Sequence, residues 1–336
     1  MNLKFLNFNP QNILIIDFGQ IGDVILSLPA LKAVREKFPA AKITAMVGKS
    51  GAEIIEISDF ADEQITVDRV KLRDGKKLES IKEVLKIFKD VRRRKFDFVI
   101  DLHSLYETNL LGYLSGAKYR LYINRENRSL DFLANFQPKP PLENKNLHLT
   151  DQYLNVLKPL GIENAPRSVE IQPREKDLQK IENLFQAIKA KKLVGLFPGA
   201  GNSSRRWSLK KFAEAAQSLS KDKNLQTIVF LGPEEENLRV EVKEKFPIET
   251  IILGKLSLLE FTAALSGLSV LISNDTGAIH LGAVVGTPIV LVMDKRAPTT
   301  YLPLTEKISV VRSGTIDEIN AEEVLQATRQ MLENKD

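Results

Sequence analysis

The chain has no cysteine, three histidines and one tryptophan among its 336 residues. Without a thiol there is no disulfide framework, no zinc–thiolate centre and no thiol nucleophile. With only His103, His148 and His280 as imidazole donors, no transition-metal site is expected either. Nowhere do two aspartates stand as Asp-X-Asp, the usual anchor by which a divalent ion holds a sugar nucleotide. No apolar run reaches the ~18 residues needed to cross a bilayer. The opening MNLKFLNFNPQN also lacks the basic-then-apolar layout of an export signal. The Asn-X-Ser/Thr triplets at Asn127, Asn202 and Asn274 are therefore read as chance, and the expected compartment is the cytoplasm.

What is present is an ordinary soluble composition, 43% hydrophobic and 27% charged, over a length that implies about two domains. The net charge of +5 is mild, but its distribution is uneven. Between Arg69 and Lys95 stand twelve Lys/Arg against four Asp/Glu, ending in RRRK (Arg92–Lys95). One reading is the solvated face of a long helix. The other is attraction to a polyanion such as a phosphorylated glycan or an anionic membrane face. Nucleic acid fits poorly, because the run has few interleaved aromatics and no familiar binding module beside it.

Short apolar runs alternate with helical periodicity along the whole chain. In the first half the expected strands are Asn12–Asp17, Lys42–Val47, Gln64–Asp68, Phe96–Leu102 and Tyr119–Ile123, with helices such as Val24–Phe38 and Leu78–Arg94 between them. The rhythm loosens at the proline-rich QPKPPLENKN (Gln137–Asn146). It restarts with strands expected at Leu193–Gly199, Gln226–Gly232, Glu249–Gly254, Ser269–Asp275 and Pro288–Asp294. This is the pattern of an α/β protein with mostly parallel sheets. Two Rossmann-like domains are expected, residues 1–170 and 171–336, facing each other across a cleft, with the last helix packing back on the first domain. In such sheets ligands bind beyond the carboxyl ends of the strands, so the loops after the strands carry the chemistry.

The first such loop lies in IIDFGQIGDVILSLPAL (Ile15–Leu31). Gly19 and Gly22 are spaced G-x-x-G with no third glycine, so this is not the dinucleotide fingerprint. The DFG triplet at Asp17–Gly19 has no kinase-type loops around it and is read as accidental. Asp23 stands where the helix is expected to begin. It is either an N-cap or a catalytic carboxylate, and the local residues leave both open. Pro29 is expected in the early turns of that helix.

The second loop is FPGAGNSSRRWSLKKF (Phe197–Phe212), leading into a helix expected near Ser208. Glycines, hydroxyls and a guanidinium fork are what a diphosphate requires. The alternative is a surface turn under a Trp207 lid. The third is SNDTGAIHLGAVVGTP (Ser273–Pro288), a strand exit running straight into a helix. Its small residues let the backbone approach a ligand, and His280 lies near the positive end of the helix.

These three stretches together resemble the ADP-heptose:lipopolysaccharide heptosyltransferase family, glycosyltransferase family 9 of the two-Rossmann GT-B class, from about Asn12 to Leu332. The resemblance implies an ADP-activated sugar bound as substrate in the C-terminal domain, with no cofactor and no metal. It also implies a glycan acceptor bound in the N-terminal domain and transfer with inversion. By motif, Asp23 is similar to the general base. Arg205 stands at the position of a lysine that contacts the diphosphate, with Ser203 and Ser204 beside it. Glu234 is placed near the ribose and Leu256 at the adenine, while Asp275, Thr276, Gly277 and His280 surround the sugar and phosphates. Gly22, His103, Glu107 and Arg120 are assigned to the acceptor side. Glu107 departs from the family, which commonly has lysine after the stretch DLHSLY. That reversal keeps open a catalytically silent nucleotide-sugar-binding subunit, beside another sugar-nucleotide transferase or epimerase of the same plan. The implied partners are an ADP-sugar and an anionic glycolipid acceptor, with peripheral contact at the cytoplasmic face of the inner membrane.

Overall fold

The structure, a computed structural model, describes residues 8–186, 188 and 192–333. The first seven residues of the stretch read for an export signal lie outside the described residues. The chain divides into two compact units, Met1–Val169 and Glu170–Asp336.

In the first unit, β1 (Asn12–Asp17), β2 (Lys42–Gly48), β3 (Glu63–Val67), β4 (Phe98–Asp101) and β5 (Tyr119–Tyr122) form one parallel sheet in the order β3-β2-β1-β4-β5. The central strands are buried almost throughout, as both-face coverage demands, and they read in the sequence as unbroken apolar runs. The connections are α1 (Ile21–Lys37), α2 (Ala52–Ser58), α3 (Arg69–Asp74), α4 (Lys77–Arg93) and α5 (Tyr106–Leu114). Right-handed crossovers put α1 and α2 on one face of the sheet and α3 to α5 on the other. Under the second group, Leu14, Ile16, Met46 and Val99 of the strands meet Val91 of α4 and Leu111 of α5. Against α1 lies α6 (Leu149–Val156), pinned where the Thr150 hydroxyl donates to Leu26 O at 2.9 Å. Pro29 falls in the middle of α1 rather than in its early turns, because the helix starts three residues before Val24.

The second unit holds β6 (Lys192–Phe197), β7 (Leu225–Leu231), β8 (Ile251–Gly254), β9 (Val270–Asn274), β10 (Ile289–Asp294) and β11 (Ile308–Ser313). All are parallel, in the order β11-β10-β9-β6-β7-β8. Its helices are α7 (Glu175–Phe185), α8 (Leu209–Leu219), α9 (Arg239–Lys245), α10 (Leu258–Ser266), α11 (Gly277–Val284) and α12 (Ala321–Glu333). The sixth strand, β11, is a half-buried edge strand whose ISVVRS has no unbroken apolar run and so gives no strand signal in the sequence. The apolar face of α12 (Val324, Leu325, Ala327, Leu332) is part of the core of its own unit.

Candidate active site

Each sheet has a point where the strand order reverses, and there the loops leaving two neighbouring strands diverge to opposite faces and open a crevice. In the first unit that point lies between β1 and β4, whose ends are in register at Ile16 and Asp101. In the second it lies between β6 and β9, in register at Phe197 and Ser273.

At the first point the chain leaves β1 through Phe18, Gly19 and Gln20 and enters α1 at once. Asp23 is not the N-cap. Gln20 holds that position, and Asp23, three residues on, accepts the Gln20 N–H at Oδ2 over 3.0 Å. That bond satisfies a backbone donor at the helix entrance and fixes the Asp23 rotamer. Burial holds the Asp23 carboxyl above the usual carboxylate range, while the Gln20 N–H and the Arg69 charge pull it back.

Asp17, at the end of β1, is fully buried and accepts the Gly19 N–H at 2.9 Å. The Ser27 hydroxyl donates to Val24 O, which leaves Asp17 Oδ2 without a hydrogen-bond partner. Burial pushes this carboxyl up to about 6, and the negative charge of Asp23 adds to the rise. The DFG triplet set aside as accidental thus supplies a second carboxyl beside the first.

Arg69 opens α3 and reaches across to the loop, donating from Nη1 to Phe18 O, with its guanidinium carbon 6.0 Å from the Phe18 ring centroid. Its charge acts on Asp17, Asp23 and His103 alike. His103 follows β4, tilted against the Phe18 ring at 5.9 Å. Burial, with Arg69 and Arg125, pushes its imidazole down to about 4, so it is neutral at physiological pH. The loop after β4 is braced by buried Asp101, which accepts from the Ser104 N–H (2.8 Å), the His103 N–H (3.1 Å) and Asn109 Nδ2 (2.8 Å). Arg125 closes over it, donating to Ser104 O while its guanidinium pairs with Glu143 at 2.6 Å.

The other residues assigned to the acceptor side fall apart. Gly22 is in the first turn of α1, close to Asp23, whereas Glu107 stands exposed in the first turn of α5. Arg120 sits near the start of β5, away from the carboxyl ends of the strands. Its guanidinium donates to Leu133 O and Ala117 O and lies 5.3 Å from the Tyr113 ring centroid.

At the second point Asn274, fully buried, ties the two loops together. Its Oδ1 accepts the Trp207 N–H at 3.0 Å and its Nδ2 donates to Pro198 O at 2.8 Å. Trp207 is therefore no lid: it lies in the core of the unit, donating from Nε1 to Ile319 O. With Trp207 anchored, the preceding short turn Ser203–Arg205 projects outward, capped by Asn202, whose Oδ1 accepts from the Ser204 N–H and hydroxyl. Arg205 Nη1 lies 3.1 Å from Asp275 Oδ2, across the strand-order reversal. Burial raises the Asp275 carboxyl and the Arg205 charge restrains it. Thr276 is the N-cap of α11, Gly277 its first residue, and His280 is buried one turn in. Ser208 begins α8 as expected, accepting the Lys211 N–H.

Of the three glutamates after β7, Glu234 is exposed, Glu235 buried and Glu236 half-buried. Gly232 and Gly199 both abut Glu235: a Cβ on Gly232 would lie 2.6 Å from Glu235 Oε2, and one on Gly199 would strike its carboxyl carbon. Burial, with the charge of Glu234, raises the Glu235 carboxyl. Leu256 is half-buried in the loop after β8. The sequence signal for Glu235 was the pair of glycines that make room for it. Among the described residues no group of three or more His, Asp or Glu is placed to hold a metal ion, and no helix is long and apolar enough to cross a membrane.

Comparison with known proteins settles the family. The model for glycosyltransferase family 9 (heptosyltransferase) matches residues 84–329. The chain belongs to glycosyltransferase family 9. The matched residues include the whole second cluster, whereas Asp17, Asp23 and Arg69 precede them. The lipopolysaccharide core heptosyltransferase OpsX of Haemophilus influenzae is 22% identical over 90% of this chain and 84% of its own. A glycosyl transferase family 9 structure from Veillonella parvula superposes with a TM-score of 0.86 at 24% identity, covering 98% of this chain and 99% of that one. The E. coli heptosyltransferase WaaC, solved with ADP, gives 0.78 at 21% identity, covering 96% and 100%. The fold of two Rossmann-like parallel sheets is the one expected from the strand pattern, and it is shared with these structures.

Proposed function

We propose that this family 9 member transfers a heptose from ADP-heptose to an anionic lipopolysaccharide-core acceptor with inversion, the first unit handling the acceptor and the second the donor. What carries the reading is the contrast between the two reversal points. The first gathers carboxyls, one of them anchored at a helix start. The second presents a guanidinium, hydroxyls and backbone N–H groups. Inverting transfer needs these two kinds of group: a base for the attacking hydroxyl and positive charge for the departing diphosphate. Asp23 is the base, since its carboxylate is fixed by the Gln20 N–H and partly exposed. Arg205 and the N-terminus of α11 take the diphosphate charge, so no metal is required. WaaC, whose structure holds ADP, supports the nucleotide class.

Asp17, whose proton is lost only as pH rises through about 6, braces the loop beside the base by accepting the Gly19 N–H. Glu107, exposed on α5 and outside this cluster, leaves the arrangement of the base unchanged. A donor screen tests the reading: ADP-heptose against ADP-, UDP- and GDP-hexoses, by thermal shift and by turnover. Stabilisation and turnover are expected with ADP-heptose. Stabilisation by a different nucleotide sugar, or stabilisation without turnover, would contradict it.

A further inference from the structure

The basic segment Arg69–Lys95 forms α3 and α4, and α4 is an odd helix. Toward its C-terminal end it packs on the sheet through Val91, with Ile87 and Phe88 half-buried beside it. Along the rest it turns Leu78 (75% exposed), Ile81 (56%) and Leu85 (61%) to solvent. Spacings of three and four residues put these on one stripe. Lys82, Lys86 and Lys89, again four and three apart, form the stripe alongside.

The neighbouring helix repeats the pattern. Val91 of α4 and Leu111 of α5 enter the same core beneath one face of the sheet, and Arg92 Nη1 of α4 donates to Leu114 O of α5 at 3.2 Å. The outer side of α5 exposes Tyr106, Leu110 and Tyr113, at spacings of four and three. Single exposed apolar residues need no explanation, but aligned rows on two adjacent helices do.

The composition says what covers them. Cores of protein–protein interfaces are depleted in lysine. Here a lysine row runs beside the apolar row of α4, in a segment with twelve basic against four acidic residues, while α5 carries Glu107 as its one charged residue. Leucine and isoleucine at hydrocarbon depth, tyrosine at the boundary and lysine reaching out to phosphates are the marks of a helix lying in an anionic lipid interface. We propose that the outer face of α4 and α5 is a docking surface for an anionic phospholipid bilayer, with Leu78, Ile81 and Leu85 reaching past the headgroups to the edge of the hydrocarbon. This deepens the reading of a lipid-anchored acceptor, yet its test does not depend on turnover.

The test is co-sedimentation of the full chain with phosphatidylcholine vesicles, with and without phosphatidylglycerol, at low and high salt. Two variants accompany it, Leu78→Ser/Ile81→Ser/Leu85→Ser and Lys82→Glu/Lys86→Glu/Lys89→Glu. Circular dichroism and ADP affinity serve as controls for folding and for the donor site. The expected result is salt-weakened binding to the phosphatidylglycerol vesicles alone, reduced at least ~10-fold in each variant while the controls hold. Absence of binding, or binding that neither variant weakens, would overturn the proposal. So would loss in the lysine variant alone, which would mean cation attraction without immersion. Self-association without vesicles that the apolar variant abolishes would make the face a protein interface and overturn it too. A failed donor screen with intact vesicle binding would sink the proposed reaction and leave this surface standing.

Discussion

Asp17 and Asp23 flank Gly19 so closely that a Cβ on the glycine would lie 3.2 Å from a carboxylate oxygen of each. The two carboxyls nevertheless have different surroundings. Asp23 is partly exposed and bonded to a backbone N–H at a helix start. Asp17 is sealed beneath it with one oxygen unpartnered. Burial raises both carboxyls, that of Asp17 to about 6, while the Gln20 N–H and Arg69 restrain Asp23.

Asp17 makes stability depend on pH. Its carboxyl is raised from 3.8 to about 6 in the folded chain, so the folded state binds a proton that the unfolded chain releases. The resulting stabilisation is complete below the unfolded value and is lost as pH rises through about 6. Asp17→Asn keeps an acceptor for the Gly19 N–H and removes the titration. Denaturant melts from pH 4 to 8 should show the variant gaining on the wild type as pH rises, by on the order of 3 kcal/mol across the range. A constant difference at all pH values would contradict this.

Asp23 must be ionised to accept a proton, so kcat/KM should rise with pH along an acid limb lying above the ordinary carboxylate range, the direction in which burial shifts it. Arg69 lowers that value, and Arg69→Gln should therefore move the limb to higher pH. A limb that stays in place would remove Arg69 from the electrostatics of the base.

Gly19→Ala tests crowding. The new methyl would strike the Asp23 Cβ and press on both carboxyls, although the Gly19 backbone is not left-handed. Something must shift, at a cost of about 1–3 kcal/mol in stability. Turnover should fall further than that cost implies if the displaced Asp23 carboxylate serves as the proposed base. An alanine variant with wild-type melting and rate would show that the loop is loosely held.

Arg205→Ala should weaken ADP affinity by about 10- to 100-fold, the range of a charge-assisted bond to a phosphate. Asp275 would lose its partner at 3.1 Å and its carboxyl would rise further. Arg205→Lys should restore part of the affinity. Calorimetry giving equal affinities for the wild type and Arg205→Ala would exclude the diphosphate role.

The parallel sheets were legible because buried strands such as NILIID (Asn12–Asp17) and VLISN (Val270–Asn274) are continuous apolar runs with loops at both ends. The edge strand β11 was not, since a strand covered on fewer sides carries a weaker pattern. Asp23 was legible as a helix-start carboxylate. Its place at the fourth position from the helix entrance, counting Gln20 as the first, was not, because Ile21 and Gly22 give no boundary signal. Asp17, Arg69, Arg125 and Glu235 escaped notice since their importance comes from burial or from chain neighbours far away in sequence. The two backbone carbonyls that the Arg120 guanidinium meets, of Leu133 and Ala117, were likewise not legible, since the loop around Leu133 carries no signal of that contact.

The most direct test of the account is the turnover of Asp23→Asn with ADP-heptose and a lipopolysaccharide-core acceptor. Asparagine keeps an oxygen for the Gln20 N–H, so the helix start and the melting temperature should be preserved, whereas Asp23→Ala loses that hydrogen bond and about 1 kcal/mol with it. The account predicts that Asp23→Asn binds ADP normally and loses ~10²–10⁴ in kcat. An Asp23→Asn enzyme that turns over at the wild-type rate would contradict it.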